Sequence, residues 1–119
     1  MDTNTNNESK SDLILSRAFF ITHQEHITHC EACGAYTIVH FDNHDDETVS
    51  YNIKVLQLHL QCHCFVRVNK SLIVNKCFIY SLSKHLKKLV LRTGKDFKIA
   101  RRRFREIISL LTDTNILLL

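Results

Sequence analysis

Leu56, Leu58, Leu60, Cys62, Cys64, Val66 and Val68 alternate with Gln57, His59, Gln61, His63, Phe65 and Arg67. Alternation with a period of two is the signature of a strand whose successive side chains point to opposite faces, here one dry and one mostly polar. Such a strand demands neighbours on its edges, so the chain is predicted to build a sheet. Upstream, Val49, Tyr51, Ile53 and Val55 carry the opposite phase. The element predicted over Thr48 to Val68 therefore flips its dry face at Val55-Leu56, by a bulge, a bend or a short turn between two strands.

Further strands are expected on either side. Leu13 to Thr22, with Ala18-Phe19-Phe20-Ile21, reads as a first strand, with a short helix as the alternative for so brief an apolar run. Ala35 to Phe41 is β-branched and aromatic and lies between Gly34 and the turn-like Asp42-Asn43-His44-Asp45-Asp46. Leu72 to Tyr80 follows a hairpin turn at Asn69-Lys70-Ser71. The period then lengthens. Leu82, Leu86 and Leu89 fall at helical spacing before Gly94, and Phe97, Ala100, Phe104, Ile107, Ile108 and Leu111 line one face of a second helix with Asp96 as its cap. Strands first and helices last predict an α+β fold: an antiparallel sheet from the N-terminal and central strands, followed by C-terminal amphipathic helices. Residues 1–11 are polar and read as a disordered tail, and residues 12–119 as one α+β domain.

No run reaches the ~18 apolar residues that spanning a bilayer requires, so no membrane role is expected. The first ten residues lack the basic-then-apolar order of a secretory signal, which places the protein in a reducing compartment. Five cysteines cannot pair completely within one chain and remain as free thiols or metal ligands. With no proline and only Gly34 and Gly94, there are few tight loops of the kind that cradle phosphates or present nucleophiles, and an enzyme is not expected. Charge is polarised. Residues 1–66 hold three basic against nine acidic residues, and residues 67–119 hold 13 basic against three acidic. The second half thus offers a surface to an acidic partner, nucleic acid or protein, or a nuclear targeting signal.

Three clusters carry possible chemistry. Cys30-Glu31-Ala32-Cys33 is a CxxC, followed after 28 residues by Cys62-His63-Cys64; Cys30, Cys33, Cys62 and Cys64 would close a tetrahedral zinc site, with His29 and His63 as substitute ligands. Against this, Cys62 and Cys64 fall on the dry face of the predicted strand, where a free cysteine is a small core residue. A catalytic cysteine beside histidine is disfavoured because adjacent strand residues face opposite ways. The acidic run Asp42 to Glu47 lacks the glycine and spacing of a calcium loop and reads as a solvated turn. Lys98, Arg101, Arg102, Arg103 and Arg105 exceed what solubility alone needs, although the wet side of an amphipathic helix is the plain alternative. Phe104, the aromatic among them, falls on the apolar face of the predicted helix, so none is interleaved for base stacking.

Residues 55–111 resemble the replication enhancer protein of geminiviruses. The likeness rests on Leu58-His59-Leu60-Gln61-Cys62, on Lys70-Ser71-Leu72-Ile73-Val74-Asn75-Lys76-Cys77-Phe78, and on Thr93-Gly94-Lys95-Asp96-Phe97 with the basic helix to Leu111. The chain departs from that family in having no Trp, no Pro and no Asn-Pro-Leu-Tyr-Phe segment. The resemblance implies a non-enzymatic accessory protein of the host cell nucleus that raises viral DNA accumulation without a cofactor. It would do so by self-association and by binding the viral replication initiator, the host sliding clamp and a retinoblastoma-related protein. Leu58, Leu60, Lys76, Cys77 and Phe78 would form its oligomer and partner surface, and Lys98, Arg101, Arg102, Arg103 and Arg105 its basic contacts. The alternative is a small zinc-binding regulatory or host-interaction protein. A third reading is a module that binds DNA directly through Lys84 to Arg105.

Overall fold

Gly34 is the hinge of the first hairpin: its φ of +62° lies in the left-handed region, and it turns β1 (Ile27–Cys33) back into antiparallel β2 (Tyr36–Phe41) with Cys33 opposite Tyr36. The computed structural model describes residues 24–60, 64–112, 114 and 116–119. The predicted tail over 1–11 and the strand expected at Leu13 to Thr22 lie outside them. The chain divides into two compact units, Met1–Cys62 and His63–Leu119.

In the first unit β3 (Glu47–Val49) joins the free side of β2, antiparallel, after the acidic turn. Ile27, Cys30, Val39, Phe41 and Val49 are buried; alternation supplies Val39 and Phe41 in β2, whereas the four consecutive residues from Ile27 to Cys30 are all buried across a register irregularity in β1. The chain then forms α1 (Ile53–His59), a short helix capped by the Asn52 side chain, which accepts from the Val55 backbone N–H at 2.9 Å. Ile53 and Leu56, one turn apart, are buried, while Leu58 is 80% exposed.

The second unit starts with β4 (Phe65–Asn69) and β5 (Leu72–Asn75), antiparallel across the predicted turn at Lys70 and Ser71. A 3₁₀ turn over Lys76–Phe78 leads into β6 (Ile79–Ser83). β7 (Lys88–Leu91) and β8 (Asp96–Lys98) continue the antiparallel meander, and β9 (Leu117–Leu118) lies parallel to β6. Gly94, with φ +97°, sits in the β7–β8 turn, where no side-chain-bearing residue is comfortable. Helix α2 (Arg101–Leu111) buries Ile107 and Leu111 in a core shared with Val68, Leu72, Val74, Ile79, Leu82, Leu89 and Leu91. Each such side chain stabilises the fold by about 1.5–3 kcal/mol through burial.

The architecture corrects the expected α+β fold. Among the described residues there are nine strands and two short helices, so the protein is mostly β and has one C-terminal helix, not a pair. The long strand expected over Thr48 to Val68 is β3, then α1, then β4. The alternation of Leu56, Leu58 and Leu60 misled because α1 has only seven residues and buries two of them. The helix expected through Leu82, Leu86 and Leu89 is the β6–β7 hairpin: Leu82 and Leu89 are cross-strand partners, and Leu86 sits in the intervening turn, 59% exposed. Asp96 does not cap α2. It lies in β8 and pairs with Lys88 at 3.2 Å.

Candidate nucleic-acid interface

The second unit holds 13 basic residues, and two backbone devices bring Lys70 and Arg101, Arg102 and Arg103 together. At the β4–β5 turn, Asn69 Oδ1 accepts from the Ser71 backbone N–H at 2.8 Å, a local bond that makes the turn without glycine. The same side chain donates through Nδ2 to the Lys98 carbonyl at 3.0 Å, tying the turn to β8. Arg67 braces it from below, donating through Nε to the Asn69 carbonyl at 2.9 Å and through its terminal nitrogen to the Lys70 carbonyl at 2.6 Å. Lys70 itself is left exposed at the tip.

The second device is the entry to α2. The Ile99 N–H donates to the Lys87 carbonyl at 2.9 Å and the Ala100 N–H to the Val68 carbonyl at 3.0 Å, so the helix start is fastened beside the same turn. Ala100 provides no side-chain cap, and the first turn contains no acid. It holds Arg101, Arg102 and Arg103 instead. Cations at a helix N-terminus oppose the macrodipole and cost about 0.3–1 kcal/mol each when exposed, whereas an anion there is favoured.

Turn and helix start face each other across a cleft of about 560 Å³ lined by Asn69, Lys70, Ser71, Ala100, Arg101, Arg102 and Arg103. Arg101 and Arg102 are exposed and Arg103 half-buried. Burial, and then the nearby charge of Arg103, pull the Arg67 guanidinium below its ordinary range, yet an arginine remains protonated under all physiological conditions. Among the described residues no carboxylate pairs with Lys70 or with Arg101 to Arg103. The cleft is a fixed concentration of positive charge with backbone N–H groups at one wall, chemistry suited to phosphate oxygens.

Around it, Lys98 is exposed on β8 and Arg105 on α2. Lys87, in the left-handed conformation at φ +53°, lays its ammonium 5.3 Å from the Phe104 ring centre. The structure gathers Lys98, Arg101, Arg102, Arg103 and Arg105 on one unit, with Lys98 on β8 and not on the helix where the sequence places it, and adds Lys70, Asn69 and Ser71. The hairpin signal for these last three was legible. Their position against α2 was not, because the bond that fixes it joins Asn69 to Lys98, 29 residues on.

The other predicted positions are dispersed. Leu58 is exposed on α1 and Leu60 half-buried at its end, in the first unit. Lys76, Cys77 and Phe78 form the 3₁₀ turn of the second, with Cys77 exposed and Phe78 packed partly on the core. Cys30 is fully buried, and that burial pushes its thiol well above the usual range; Cys33, three residues along the same strand, is exposed on the opposite face. Cys62 lies outside the described residues. Cys64 is half-buried with its Sγ 3.8 Å from that of Cys77, a pairing the sequence did not suggest.

The LytTr DNA-binding domain family matches residues 17–112. Among solved structures, the chain is similar to the LytTr DNA-binding domain of a Bacillus cereus protein described as a methyl-accepting/DNA response regulator. The two are 21% identical with a TM-score of 0.65, over 73% of this chain and 82% of that one. No curated protein sequence matches. These findings overturn the geminivirus resemblance, and with it the replication-enhancer function and the initiator, sliding-clamp and retinoblastoma-related partners. Of the segments that carried the likeness, 70–78 is a hairpin turn, β5 and a 3₁₀ turn, 93–97 is a turn at Gly94 running into β8, and the last is the basic helix, local shapes that many folds contain. The alternative of a zinc-held regulator built on CxxC and CxC falls to the same match.

Proposed function

The chain belongs to the LytTr DNA-binding domain family, and we propose that it grips duplex DNA through the cleft between the β4–β5 turn and the first turn of α2. It is not an enzyme, since the family is one of DNA-binding domains. The observation that carries the reading is the coincidence, inside the matched span, of Lys70 with Arg101, Arg102 and Arg103 around one cleft with no carboxylate pairing among the described residues. Arg103 and the helix N–H groups hold the phosphate backbone. Exposed Arg101 and Arg102 reach further, to phosphate or to the guanine edge that arginine reads bidentately. Association with a regulatory site on DNA, as the description of the Bacillus cereus protein suggests for that protein, is the role we propose for this chain.

The test is fluorescence anisotropy of a labelled duplex titrated with the full chain at several salt concentrations. Binding should weaken linearly in log–log form, with a slope near −0.9 per phosphate neutralised. An affinity that does not change between about 50 and 200 mM salt, the range in which phosphate-dominated complexes lose orders of magnitude, would sink the proposal.

A further inference from the structure

The acidic first unit carries a cluster that DNA binding does not use. β1 and β2 place His29 directly opposite His40, and Glu31 lies two residues along β1 on the same face. The His40 Nε2 is 2.6 Å from Glu31 Oε1, the His29 Nε2 is 3.8 Å from the same oxygen, and the three donor atoms all lie within 4.8 Å of one another. We propose that His29, Glu31 and His40 bind one divalent transition-metal ion of the zinc, cobalt or nickel kind.

The surroundings of the two imidazoles are those of metal ligands. The Thr28 hydroxyl donates to the His40 carbonyl at 3.3 Å, so its oxygen accepts from the Nδ1–H of His29 at 2.8 Å. That bond puts the His29 proton on Nδ1 and its lone pair on Nε2, the atom facing Glu31. His40 is oriented in the same sense: its Nδ1 donates to Asp46 Oδ1 at 2.9 Å, which directs Nε2 at Glu31. A ligating histidine whose second nitrogen is held by a carboxylate or another oxygen is the usual outer shell of a protein metal site.

Charge points the same way. Two carboxylates, Glu31 and Asp46, converge on the ring of His40. A divalent ion neutralises both. Two nitrogens and one carboxylate oxygen suit a borderline metal, and with three protein ligands a fourth position stays open to water on the side of Glu31. The rings stack at 4.0 Å and 6°, so loading requires them to splay. The Glu31 contact must open from 2.6 Å and the His29 separation close from 3.8 Å toward the roughly 3.3 Å between donors of a tetrahedral site. Glu31, whose side chain is 41% exposed while that of His29 is 3% exposed, is the ligand free to move.

The experiment is a Co(II) titration of the chelator-stripped full chain in a non-coordinating buffer, with thiols kept reduced. One cobalt per chain is expected, with visible ligand-field absorption, no thiolate-to-cobalt charge-transfer band, and displacement by Zn(II). Glu31→Gln should weaken binding at least tenfold and His40→Gln should remove the stoichiometric step. Asp46→Asn, which only orients His40, should weaken it about tenfold, and Cys33→Ser should leave it unchanged. Absence of stoichiometric cobalt, a thiolate band, or a Glu31→Gln protein that titrates like the original would overturn the proposal. Should His40→Gln fail to fold, the Glu31→Gln comparison, made at a partly exposed residue, still decides.

Discussion

The two units of this chain place their buried polar groups differently. The first interleaves His29, Thr28 and Thr37 among its buried residues, and each is hydrogen-bonded: Thr28 to His29 and to the His40 carbonyl, Thr37 to the Tyr51 carbonyl at 2.9 Å. The second buries Asn75, whose side chain accepts from the Cys77 backbone N–H at 2.9 Å, and Ser81 beside its apolar core, and carries its charge outside, with Lys70, Arg101, Arg102 and Arg103 lining one cleft. A polar interior specifies geometry, because each group must meet its partner. An apolar interior supplies stability and leaves the surface free to be loaded with one sign of charge. The expected division of labour is that the second unit tolerates surface substitution and loses DNA, while the first tolerates neither loss of partners nor displacement.

The hardest test of that contrast sets the core of one unit against the surface of the other. Ile107→Asp places a charge where no water reaches and should cost about 3–5 kcal/mol or more, enough to abolish cooperative folding. Leu58→Asp, on the exposed side of α1, should stay within about 0.5 kcal/mol by urea denaturation. Next in size is binding. Replacing Arg101, Arg102 and Arg103 together with Ala should leave far-ultraviolet circular dichroism unchanged and lower the magnitude of the salt slope of DNA affinity by about 2–3. Asp45→Asn in the acidic turn should leave that slope as it is.

These pairs also mark what the sequence disclosed. Helix α2 was legible because Phe104, Ile107, Ile108 and Leu111 repeat over eleven residues, long enough to separate a period of 3.6 from one of 2. The Asn69-Lys70-Ser71 turn was legible from its residue types. The α1 helix was not, because two turns bury only Ile53 and Leu56, and the Asn52 cap that starts it is a single residue in a polar stretch. The β6–β7 hairpin was misread for a different reason. A four-residue turn between cross-strand partners Leu82 and Leu89 reproduces helical spacing by coincidence. At the binding cleft, the arginines could be read from sequence, and the wall opposite them could not, since only tertiary hydrogen bonds bring it there.

Smaller effects sharpen the comparison further. Asn52→Ala removes the cap of α1 and should lower stability by about 1 kcal/mol, seen as a drop of several degrees in Tm. Lys88→Ala breaks the Lys88–Asp96 pair, both of whose side chains are substantially exposed, and should change stability by less than about 1 kcal/mol, diminishing with added salt. A larger loss there would mean that surface charge stabilises the second unit, contrary to the contrast drawn above.

Hydrogen–deuterium exchange on the full chain, with and without a saturating duplex, tests the central claim most directly. The account predicts slowed exchange at residues 69–71 and 98–103 and little change across β1 to β3. Protection concentrated over residues 27–49, with the β4–β5 turn and the start of α2 unaffected, would contradict it.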